Sequence, residues 1–387
     1  WSSHSQQHRQ HRGLHQAASV TPVYLQRGAL HSALGADLCA ANAALRSGVL
    51  PDAGTMVLHE LQEPRPYLSV PGEETPDAHF DRLIRETLGD ESGALADCLL
   101  IVASTSLDIN ELEVLAAQHG GFHPDHSTSL DLIAERLRER FGFADAFTLN
   151  TACTSAANGL LYGARMLAAD LYRRVLVLAF ETPSAIAQQG FGALGLVSPS
   201  GEYRPFHPQR DGLVLGEAYA ATLLALEPGP APLARLLGGF SACDTSSLTN
   251  TREDGSHIEW VMREALHSAK VSAGQIGLVK PHGTATGAND RAECNGVRRL
   301  FGDALPPLCV LKPWLGHTLG ACGLTETLLL VENLAHLPAC DYAGDALLPL
   351  PGQPLSISDG SLLLANYFGF GGNNASLVLQ RGAGETR

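Results

Sequence analysis

This sequence has no regularly spaced cysteines: its eight cysteines stand at scattered positions. No two of them have the CxxC spacing of a zinc motif, and their scatter is not that of a disulfide framework, so the pattern favours a reducing compartment. No apolar run approaches the roughly 18 residues of a membrane-spanning helix, and no secretory signal is recognisable. From these absences we expect a cytoplasmic enzyme without a membrane span.

Positive charge is scarce as well. The 26 lysines and arginines are outnumbered by 40 aspartates and glutamates, which gives a formal net charge of −14 and a pI near 5.5. General nucleic-acid binding is therefore not expected. With 387 residues, of which 45% are hydrophobic and 17% charged, the chain is long enough for one large domain or two fused halves.

Residues 1–19 differ from the remainder of the chain because they are polar and include four histidines. A disordered tail or a cloning remnant explains this composition better than metal capture does. The folded chain is expected to begin near Val20. Proline and glycine at 227–230 mark the boundary between an N-terminal half, 20–230, and a C-terminal half, 231–387.

Strands and helices alternate in both halves, which predicts α/β layers with a mainly parallel sheet. The predicted strands are 23–25, 98–103, 174–180, 219–226, 233–240, 276–280, 308–312, 361–368 and 375–380, and the predicted helices are 36–46, 79–88, 109–119, 130–141, 154–172, 258–270, 319–337 and one beginning near 290. Residues 50–78 are predicted to be an irregular surface excursion. The helices at 154–172 and 319–337 have few charges and hold comparable places, so we expect a duplication with two central helices between sheets.

Cys153 stands between small residues, where an apolar approach ends and a helical pattern begins. A thiol in this place meets the positive end of the helix dipole and free backbone N–H groups, and both favour the thiolate. Its small neighbours leave room for a substrate to reach the sulfur. A buried structural cysteine is the alternative, and these residues alone do not decide between the two.

Two later loops each present a histidine at a strand end. His282 lies in a loop with Thr284 and Thr286, whose hydroxyls can bind a ligand while the loop holds the imidazole. His317 lies at the start of a helix and near Lys312, and both surroundings disfavour the imidazolium, so that a neutral ring can donate its N–H. A structural role in a turn is the alternative for each histidine.

Two further features belong to the same pattern. Glu326 on the apolar helix needs a partner if it is buried, and Lys312 can provide it; a solvated glutamate is the alternative. The turn Gly369-Phe370-Gly371-Gly372 lets backbone N–H groups approach a ligand closely, unless it is only a tight hairpin. The cysteine, the two histidine loops and the glycine turn are explained together if they converge on one site between the halves.

In these residues the sequence resembles the β-ketoacyl-acyl carrier protein synthases of the thiolase-fold superfamily, specifically their elongating Cys-His-His branch. The similar motifs are Thr151-Ala152-Cys153-Thr154-Ser155, Arg204-Pro205-Phe206, Arg210-Asp211-Gly212, Gly216-Glu217, His282-Gly283-Thr284-Ala285-Thr286-Gly287, Asp290, Glu293, Lys312, Gly316-His317, Gly320-Ala321, Glu326 and Gly369-Phe370-Gly371-Gly372. They occur in the family's order over roughly residues 20–380. The resemblance implies an α/β, thiolase-like fold of duplicated halves stacked as an αβαβα sandwich.

The resemblance further implies a decarboxylating condensing enzyme of fatty-acid, polyene or polyketide synthesis. Cys153 would take an acyl chain from a carrier thioester, with the backbone N–H groups of Cys153 and Phe370 as the oxyanion hole. His282 and His317 would hydrogen-bond the malonyl thioester carbonyl and stabilise the enolate that forms as CO₂ leaves. The enolate carbon would then attack the acyl-Cys153 thioester and give a 3-oxoacyl product.

Other residues receive supporting roles from the resemblance. Lys312 and Glu326 would support the site electrostatically. Thr284 and Thr286 would contact the phosphopantetheine arm, and Phe370 would form a gate between the thiol and the acyl pocket. No bound metal or cofactor is implied, because phosphopantetheine arrives on the carrier protein.

Several positions depart from the family pattern: residues 155–156, 213–214, Pro313, Asn373 and the segment 242–247. They belong to loops that govern the entry of the acyl chain, and they leave the cysteine and the two histidines unchanged. The sequence therefore predicts the type of reaction better than the length of the acyl chain.

Carrier recognition departs from the pattern too. Relatives have a basic cluster before the helix that corresponds to residues 79–88, whereas residues 73–78 are acidic here. An acidic carrier protein would be repelled there, which leaves Arg204, with Arg82 or Arg85, for its contact. We therefore expect a specialised carrier protein, or a partner subunit that supplies positive charge, and either a homodimer or a heterodimer with a related subunit.

Other functions remain open at this point. Within the fold, they are a non-elongating acyltransferase and a chain-length partner subunit, although Cys153 argues against the second because such subunits typically lack the nucleophile. In a different class, a cysteine-dependent thioester hydrolase would use a Cys-His-Asp or Cys-His-Asn arrangement and would not need the second histidine loop. A scaffold without activity fits least well with Cys153, His282, His317 and Lys312 all present.

Overall fold

The computed structural model describes residues 21–56, 64–89, 95–122, 130–247, 251–342, 344 and 346–381. The tail expected at residues 1–19 lies outside them. The strands are β1 (Val23–Ser32), β2 (Gly54–Met56), β3 (Arg65–Leu68), β4 (Cys98–Ala103), β5 (Asp145–Leu149), β6 (Arg174–Glu181), β7 (Leu215–Gly216), β8 (Ala218–Ala225), β9 (Ala234–Cys243), β10 (Ile276–Lys280), β11 (Leu362–Phe368) and β12 (Asn373–Gln380). The helices are α1 (Leu38–Ser47), α2 (Pro76–Leu88), α3 (Ile109–His119), α4 (Leu132–Phe141), α5 (Ser155–Ala168), α6 (Ala185–Ala193), α7 (Ser256–Ser268), α8 (Gly287–Phe301), α9 (Lys312–Leu315) and α10 (Cys322–Glu332). Among the described residues, no helix is both long and apolar enough to cross a membrane.

A nine-stranded sheet in the order β10-β11-β12-β9-β1-β8-β6-β4-β5 runs through the described part of the chain. The first half contributes β5, β4, β6, β8 and β1, and the second half contributes the other four; the groups meet where residues 23–25 pair with residues 234–236. The pairs β10–β11, β4–β6 and β4–β5 are parallel, and the other five pairs are antiparallel. The expectation of a mainly parallel sheet is therefore wrong.

The connections between strands explain this difference. Parallel pairing needs a crossover of about a dozen residues or more, and such segments with helices connect β4 to β5, β5 to β6 and β10 to β11. Strand β11 returns directly into β12 through residues 369–372, which is too short for a crossover. Alternation of helices and strands along the sequence does not record at which edge each strand joins the sheet.

Helices α5 and α10 form a central layer between the two halves. Helix α5 contacts β4 and β6 of the first half and β9 and β12 of the second, while α10 contacts α5, β1, β8 and β11. Helices α2 and α4 lie on strands of the first half, and α7 lies on β9 and β12 with α8 packed against it. The five strands of the first half and the four strands of the second half form the two sheet layers. The layers therefore follow the predicted order of helix, sheet, helix, sheet, helix.

Strand β4 shows why the layers are stable. Leu99, Ile101 and Ala103 belong to the hydrophobic core that contains α5, whereas Leu100 and Val102 belong to the core beneath α2 and α4. Successive side chains of a strand point to opposite faces, and here both faces are covered. All six residues of β4 are buried, which accounts for the continuous apolar run in the sequence.

The two central helices approach each other closely at Gly323. A Cβ atom at this position would lie 2.3 Å from the backbone nitrogen of Ala157. Only glycine permits this approach without a shift of one helix. The contact brings the start of α5, with Cys153 just before it, next to the segment that leads from His317 into α10.

Some element predictions are wrong. Residues 308–312 form no strand: Leu308 makes a single bridge to Val279, and α9 begins at Lys312 with Pro313 in its first turn. The helix predicted for 319–337 begins with a 3-10 turn, Leu319–Ala321, and α10 ends at Glu332. The excursion predicted for 50–78 contains β2 and β3, which form a small sheet with β7.

Candidate active site

A cavity that is partly open to solvent lies between the two halves. It is lined by Cys153, Phe191, Leu196, Leu213, Thr251, His282, Thr284, Thr286, Ala288, Asn289, His317, Phe368, Gly369, Phe370 and Asn374. Sulfur of Cys153 and ring nitrogens of His282 and His317 all lie within 4.8 Å of one another. The structure thus brings together the cysteine, both histidine loops and the glycine turn, as the sequence predicts.

Cys153 follows a strained turn just before α5. Ala152 has φ = 55°, in the left-handed region that a residue with a side chain seldom adopts. The Ser155 hydroxyl donates to the Ala152 carbonyl at 2.6 Å and accepts the Thr151 N–H at 2.9 Å, and the Thr154 hydroxyl donates to the Thr151 carbonyl at 2.6 Å. These hydrogen bonds hold the turn that aims the sulfur at the cavity.

The Cys153 thiol is a protonated group in the resting protein. Its Sγ lies 3.3 Å from Nε2 of His317. Burial raises the pKa of Cys153 to about 11, against the opposite effects of the Phe370 backbone N–H and of the Lys312 charge. The backbone N–H groups of Phe370 and Cys153 lower this pKa, in the direction expected from the sequence, but burial outweighs them and the net shift favours the thiol.

His282 is fixed by hydrogen bonds on both its backbone and its ring. Glu293 accepts the backbone N–H of His282 at 2.7 Å and that of Gly283 at 2.9 Å. Nζ of Lys312 lies 3.3 Å from Nδ1 of the ring. Burial, and then the charge of Lys312, lower the pKa of His282 well below its usual value, so the ring is neutral. An ammonium can only donate, so Nδ1 accepts and the proton is on Nε2. This nitrogen has no hydrogen-bond partner among the described residues, and the residue lines the cavity.

His317 is held by its backbone against the first half. Its N–H donates to the Val214 carbonyl at 2.7 Å, and its carbonyl accepts the Gly216 N–H at 3.1 Å. Burial, followed by the charges of Lys312 and Lys280, lowers the pKa of His317 well below its usual value. The sequence-based expectation of a neutral ring here agrees with this direction.

Lys312, Glu326 and Lys280 form a buried ionic cluster behind the histidines. The Nζ atom of Lys312 lies 2.5 Å from Oε1 of Glu326, and Nζ of Lys280 lies 2.6 Å from Oε2. Burial lowers the pKa of Lys280. At Lys312 burial also acts to lower the pKa, but the charge and hydrogen bond of Glu326, together with the nearby thiols of Cys322 and Cys153, outweigh it and raise the pKa. The pairing of Lys312 with Glu326 was predicted; the second lysine was not, because no local pattern marks it.

Of the remaining predicted site residues, Thr284, Thr286 and Phe370 line the cavity, whereas Arg204 does not. Thr284 and Thr286 line the cavity, with their hydroxyl oxygens 2.9 Å apart. The ring of Phe370 lies edge-on to that of Phe191, with their centroids 5.8 Å apart. Phe191 belongs to α6, which sequence reasoning missed. Arg204 lines a separate groove and forms an ion pair with Glu202 at 2.6 Å, so much of its charge is locally balanced.

The unusual segment 242–247 forms part of the support for the cavity. Asp244 is buried, accepts the N–H of Arg252 at 2.8 Å and accepts the hydroxyl of Thr251 at 3.0 Å. Thr251 in turn accepts a hydrogen bond from the side chain of Asn374 at 3.2 Å. Both Thr251 and Asn374 line the cavity, so this segment orders one side of its wall.

Glu181 is a buried residue that the sequence did not single out. It accepts the N–H groups of Ser106 at 3.1 Å and of Gly320 at 3.0 Å, and the hydroxyl of Thr105 at 2.6 Å. Gly320 lies three residues after His317, so Glu181 at the end of β6 holds the histidine loop against the first half. Burial raises the pKa of Glu181, although these hydrogen bonds oppose the shift. Its only sequence signal is a glutamate at the end of an apolar strand.

The spacing of the cysteine and the two histidines would by itself also suit a metal ion. The Lys312 ammonium, 3.3 Å from His282, opposes a second cation at that place. Neutral donors beside a buried ammonium are instead suited to stabilise negative charge that develops on a substrate oxygen. The chemistry that the geometry favours is therefore acyl transfer with anionic intermediates.

Comparison with protein families matches two adjacent parts of the chain. Residues 87–227 match the family model described as "Beta-ketoacyl synthase, N-terminal domain", and residues 233–338 match "Beta-ketoacyl synthase, C-terminal domain". Together these matches cover more than half of the chain.

Individual relatives agree with this match. The 3-oxoacyl-[acyl-carrier-protein] synthase 2 of Vibrio cholerae serotype O1 is 31% identical over 277 residues, which are 66% of this chain and 67% of that protein. The protein of the same name from Vibrio harveyi is 31% identical over 281 residues, 66% of each chain. The alignments thus span about two thirds of these relatives.

A solved structure agrees over a longer range. A chain of the complex between the ketosynthase ApeO and its chain length factor ApeC from Xenorhabdus doucetiae superposes with a TM-score of 0.81 at 25% identity. The superposition covers 94% of this chain and 98% of that one.

Proposed function

Because this chain belongs to the β-ketoacyl synthase family, we propose that it is a 3-oxoacyl-acyl carrier protein synthase that elongates an acyl group held on Cys153. The carrying observation is that the sulfur and the two histidine rings face one cavity within 4.8 Å of one another. One group can hold the acyl chain while the other two bind the malonyl thioester. The product belongs to fatty-acid, polyene or polyketide synthesis.

The first half-reaction loads Cys153. The sulfur attacks the acyl thioester of a carrier protein, a new S–C bond forms, and the carrier's pantetheine thiol leaves with the proton that the cysteine gives up. The backbone N–H groups of Cys153 and Phe370 stabilise the oxyanion of the tetrahedral intermediate. Both of these N–H groups act to lower the pKa of Cys153, which supports a role for them in stabilising negative charge beside the sulfur.

The second half-reaction forms the carbon–carbon bond. The malonyl carboxylate leaves as CO₂, and the electron pair of the broken bond passes to the thioester as an enolate. Nε2–H of His282 and the neutral ring of His317 stabilise the enolate oxygen. The enolate carbon attacks the acyl-Cys153 thioester, and the expelled thiolate takes a proton from solvent, which regenerates the thiol.

The supporting residues fit these two steps. Lys312 and Glu326 support the histidines from behind, and Thr284 and Thr286, which line the cavity, contact the phosphopantetheine arm. Phe370, whose ring lies edge-on to that of Phe191, acts as the gate for the acyl chain. The protein uses no prosthetic group beyond the phosphopantetheine of its carrier, and we assign it to the cytoplasm.

The partners follow from the same assignment. A malonyl- or acyl-loaded carrier protein delivers both substrates, with Arg204 as a contact, and the chain works as a homodimer or beside a related subunit. The ion pair of Arg204 with Glu202 and the acidic residues 73–78 favour a specialised carrier over a strongly acidic one.

The test is intact-mass analysis after incubation with a panel of acyl-carrier thioesters. Wild type gains an acyl adduct, Cys153→Ala gains none, and malonyl carrier then discharges the adduct as a longer 3-oxoacyl chain. If no donor labels Cys153, the assignment as an enzyme of this class fails. Labelling without elongation would instead support a non-elongating acyltransferase, and release of free acid would support a thioester hydrolase.

A further inference from the structure

Lys280 is a second buried lysine that the proposed mechanism does not use. It ends β10, its side chain is 0% exposed, and its Nζ lies 3.8 Å from the centroid of the Tyr367 ring. Its ionic partner is Glu326, at 2.6 Å. Burying an ammonium is costly unless it is paired, so a lysine at this position calls for a function beyond packing.

Each of the two lysines pairs with a different carboxylate oxygen of Glu326. Lys280 occupies Oε2 and Lys312 occupies Oε1, and all three side chains are at most 1% exposed. Two ammonium groups and one carboxylate leave a net charge of about +1 in this buried region. Because each oxygen already has one donor, neither lysine is drawn into a two-oxygen contact with Glu326.

This division leaves Lys312 free to reach the histidine. An ammonium has three N–H donors; one goes to Oε1 of Glu326, and another points to Nδ1 of His282 at 3.3 Å. That contact fixes the tautomer in which His282 presents Nε2–H to the cavity. The orientation of His282 therefore depends on what else Glu326 binds.

We propose that Lys280 is a positioning residue for decarboxylation: by occupying Oε2 of Glu326, it keeps Lys312 directed at Nδ1 of His282 and so keeps the Nε2–H donor aimed at the substrate oxygen. The inference rests on the proposed function, in which that donor stabilises the enolate. Lys280 also contributes positive charge to the histidine pair, and its charge helps to keep both rings neutral.

Removal of Lys280 has a defined consequence. With Oε2 unoccupied, Glu326 takes Lys312 into contact with both of its oxygens, and the bond from Lys312 to His282 is lost. The charged and titratable side chains around the His282 ring are Lys312, His317 and Cys153. Glu293 contacts His282 only by accepting its backbone N–H. His282 becomes a mixture of tautomers, and a fraction of the rings presents no N–H to the cavity.

The experiment combines a structural readout with separate measurement of the two half-reactions. Protein labelled with ¹⁵N-histidine is prepared as wild type and as Lys280→Met, and the His282 signals are assigned with His282→Gln. We expect wild type to show the Nε2–H tautomer and Lys280→Met to show a mixture. Release of CO₂ from malonyl carrier by Lys280→Met falls about tenfold or more, as expected for a misplaced anion-stabilising donor, while acylation of Cys153 changes less than about threefold.

A matched control is Tyr367→Phe, which removes the hydroxyl bonded to Thr327 at 2.8 Å but keeps the ring beneath Lys280. It leaves the His282 tautomer and the ratio of the two rates unchanged. If Lys280→Met does not fold, Lys280→Leu, which also lacks a donor for Glu326, is measured in the same way with the same expectation. An unchanged His282 tautomer, or an equal fall in both half-reactions, overturns the proposal. Failure of wild type to acylate overturns the proposed function instead, and the tautomer measurement still decides the role of Lys280.

Discussion

Nε2 of His317 lies 3.3 Å from Sγ of Cys153, and both side chains are almost completely buried. The histidine comes from the segment before α10 and the cysteine from the turn before α5, 164 positions apart in the chain. A neutral imidazole and a protonated thiol at this distance form a weakly polar pair, not an ion pair. In the proposed mechanism, the thiol therefore becomes reactive when the backbone N–H groups of Cys153 and Phe370 bind the substrate oxygen.

The first prediction concerns the protonation of Cys153. Because burial raises its pKa to about 11, the thiolate fraction at neutral pH is small and grows as pH rises. We expect the alkylation rate of Cys153 by iodoacetamide in the free protein to increase about tenfold per pH unit between pH 7 and pH 10. Lys312→Met removes a charge that lowers this pKa, so its alkylation is slower at each pH. Rates are read from peptide mapping, which separates Cys153 from the exposed Cys39 and Cys243. A plateau reached by pH 8 would contradict the prediction.

The second prediction separates the roles of the histidines from that of the sulfur. His282→Ala removes the Nε2–H donor, and we expect the rate of CO₂ release from malonyl carrier to fall about 10²–10³-fold, the usual cost of one lost oxyanion donor. Acylation of Cys153, measured by intact mass, keeps most of its rate because the N–H groups of Cys153 and Phe370 remain. Equal losses in both half-reactions would show that the assumed division of labour is wrong.

The third prediction tests the close approach of the central helices. Gly323→Ala puts a methyl group where it would lie 2.3 Å from the backbone of Ala157, so the helices must separate. We expect the free energy of unfolding to fall by about 2–3 kcal/mol, in the range of an overpacked core. Gly274→Ala is the matched control, since nothing lies within 4 Å of a Cβ there, and its effect stays within about 0.5 kcal/mol. Chemical denaturation of both variants measures the difference; similar midpoints would refute the packing argument.

The fourth prediction is a pH dependence of stability at Glu293. Burial raises the pKa of this carboxyl to about 7, although hydrogen bonds from Gly283 and His282 oppose the shift. The folded state then binds the proton more tightly than the unfolded chain, so the stabilisation is present at low pH and is lost as pH rises from about 4.5 to 7. The loss is on the order of a few kcal/mol.

Glu293→Gln has no proton to lose at this position. The free energy of unfolding of the variant should therefore fall less than that of wild type between about pH 5 and pH 8, whatever its starting value. Urea denaturation at a series of pH values gives both curves. Parallel curves for the two proteins would mean that Glu293 does not titrate in this range.

The sequence predicts those features that depend on local patterns. Strand β4 and helix α3 have the predicted bounds, because an all-apolar run and a helical repeat each determine one element. The stretch 308–311 has a similarly apolar pattern but makes a single bridge, so composition alone does not determine strand pairing there. Helix α6 was missed because its two glycines weaken the pattern, while Glu113 caps its start from a distant helix, accepting the Ala185 N–H at 3.0 Å.

The residues of the site also differ in whether a local sequence pattern reveals them. Each of Cys153, His282 and His317 is marked by small residues and glycines in its own loop, so it is visible in the sequence. Lys280 and Glu181 act through partners that are 46 and 139 positions away, and no motif around them indicates those partners. The direction in which the pKa of Cys153 shifts could not be predicted from the sequence either, because burial of a thiol depends on the whole surrounding fold.

The position of α5 between β4 and β6 on one side and β9 and β12 on the other has a consequence for the integrity of the chain. Each half provides a sheet face that is covered by a helix of the other half, so neither fragment alone would have a closed interior. Proteolysis between Ala225 and Ala234 should therefore yield a nicked protein whose fragments stay together until denaturant is added. Reassembly of the two pieces after separation would require both to be present in the same refolding reaction.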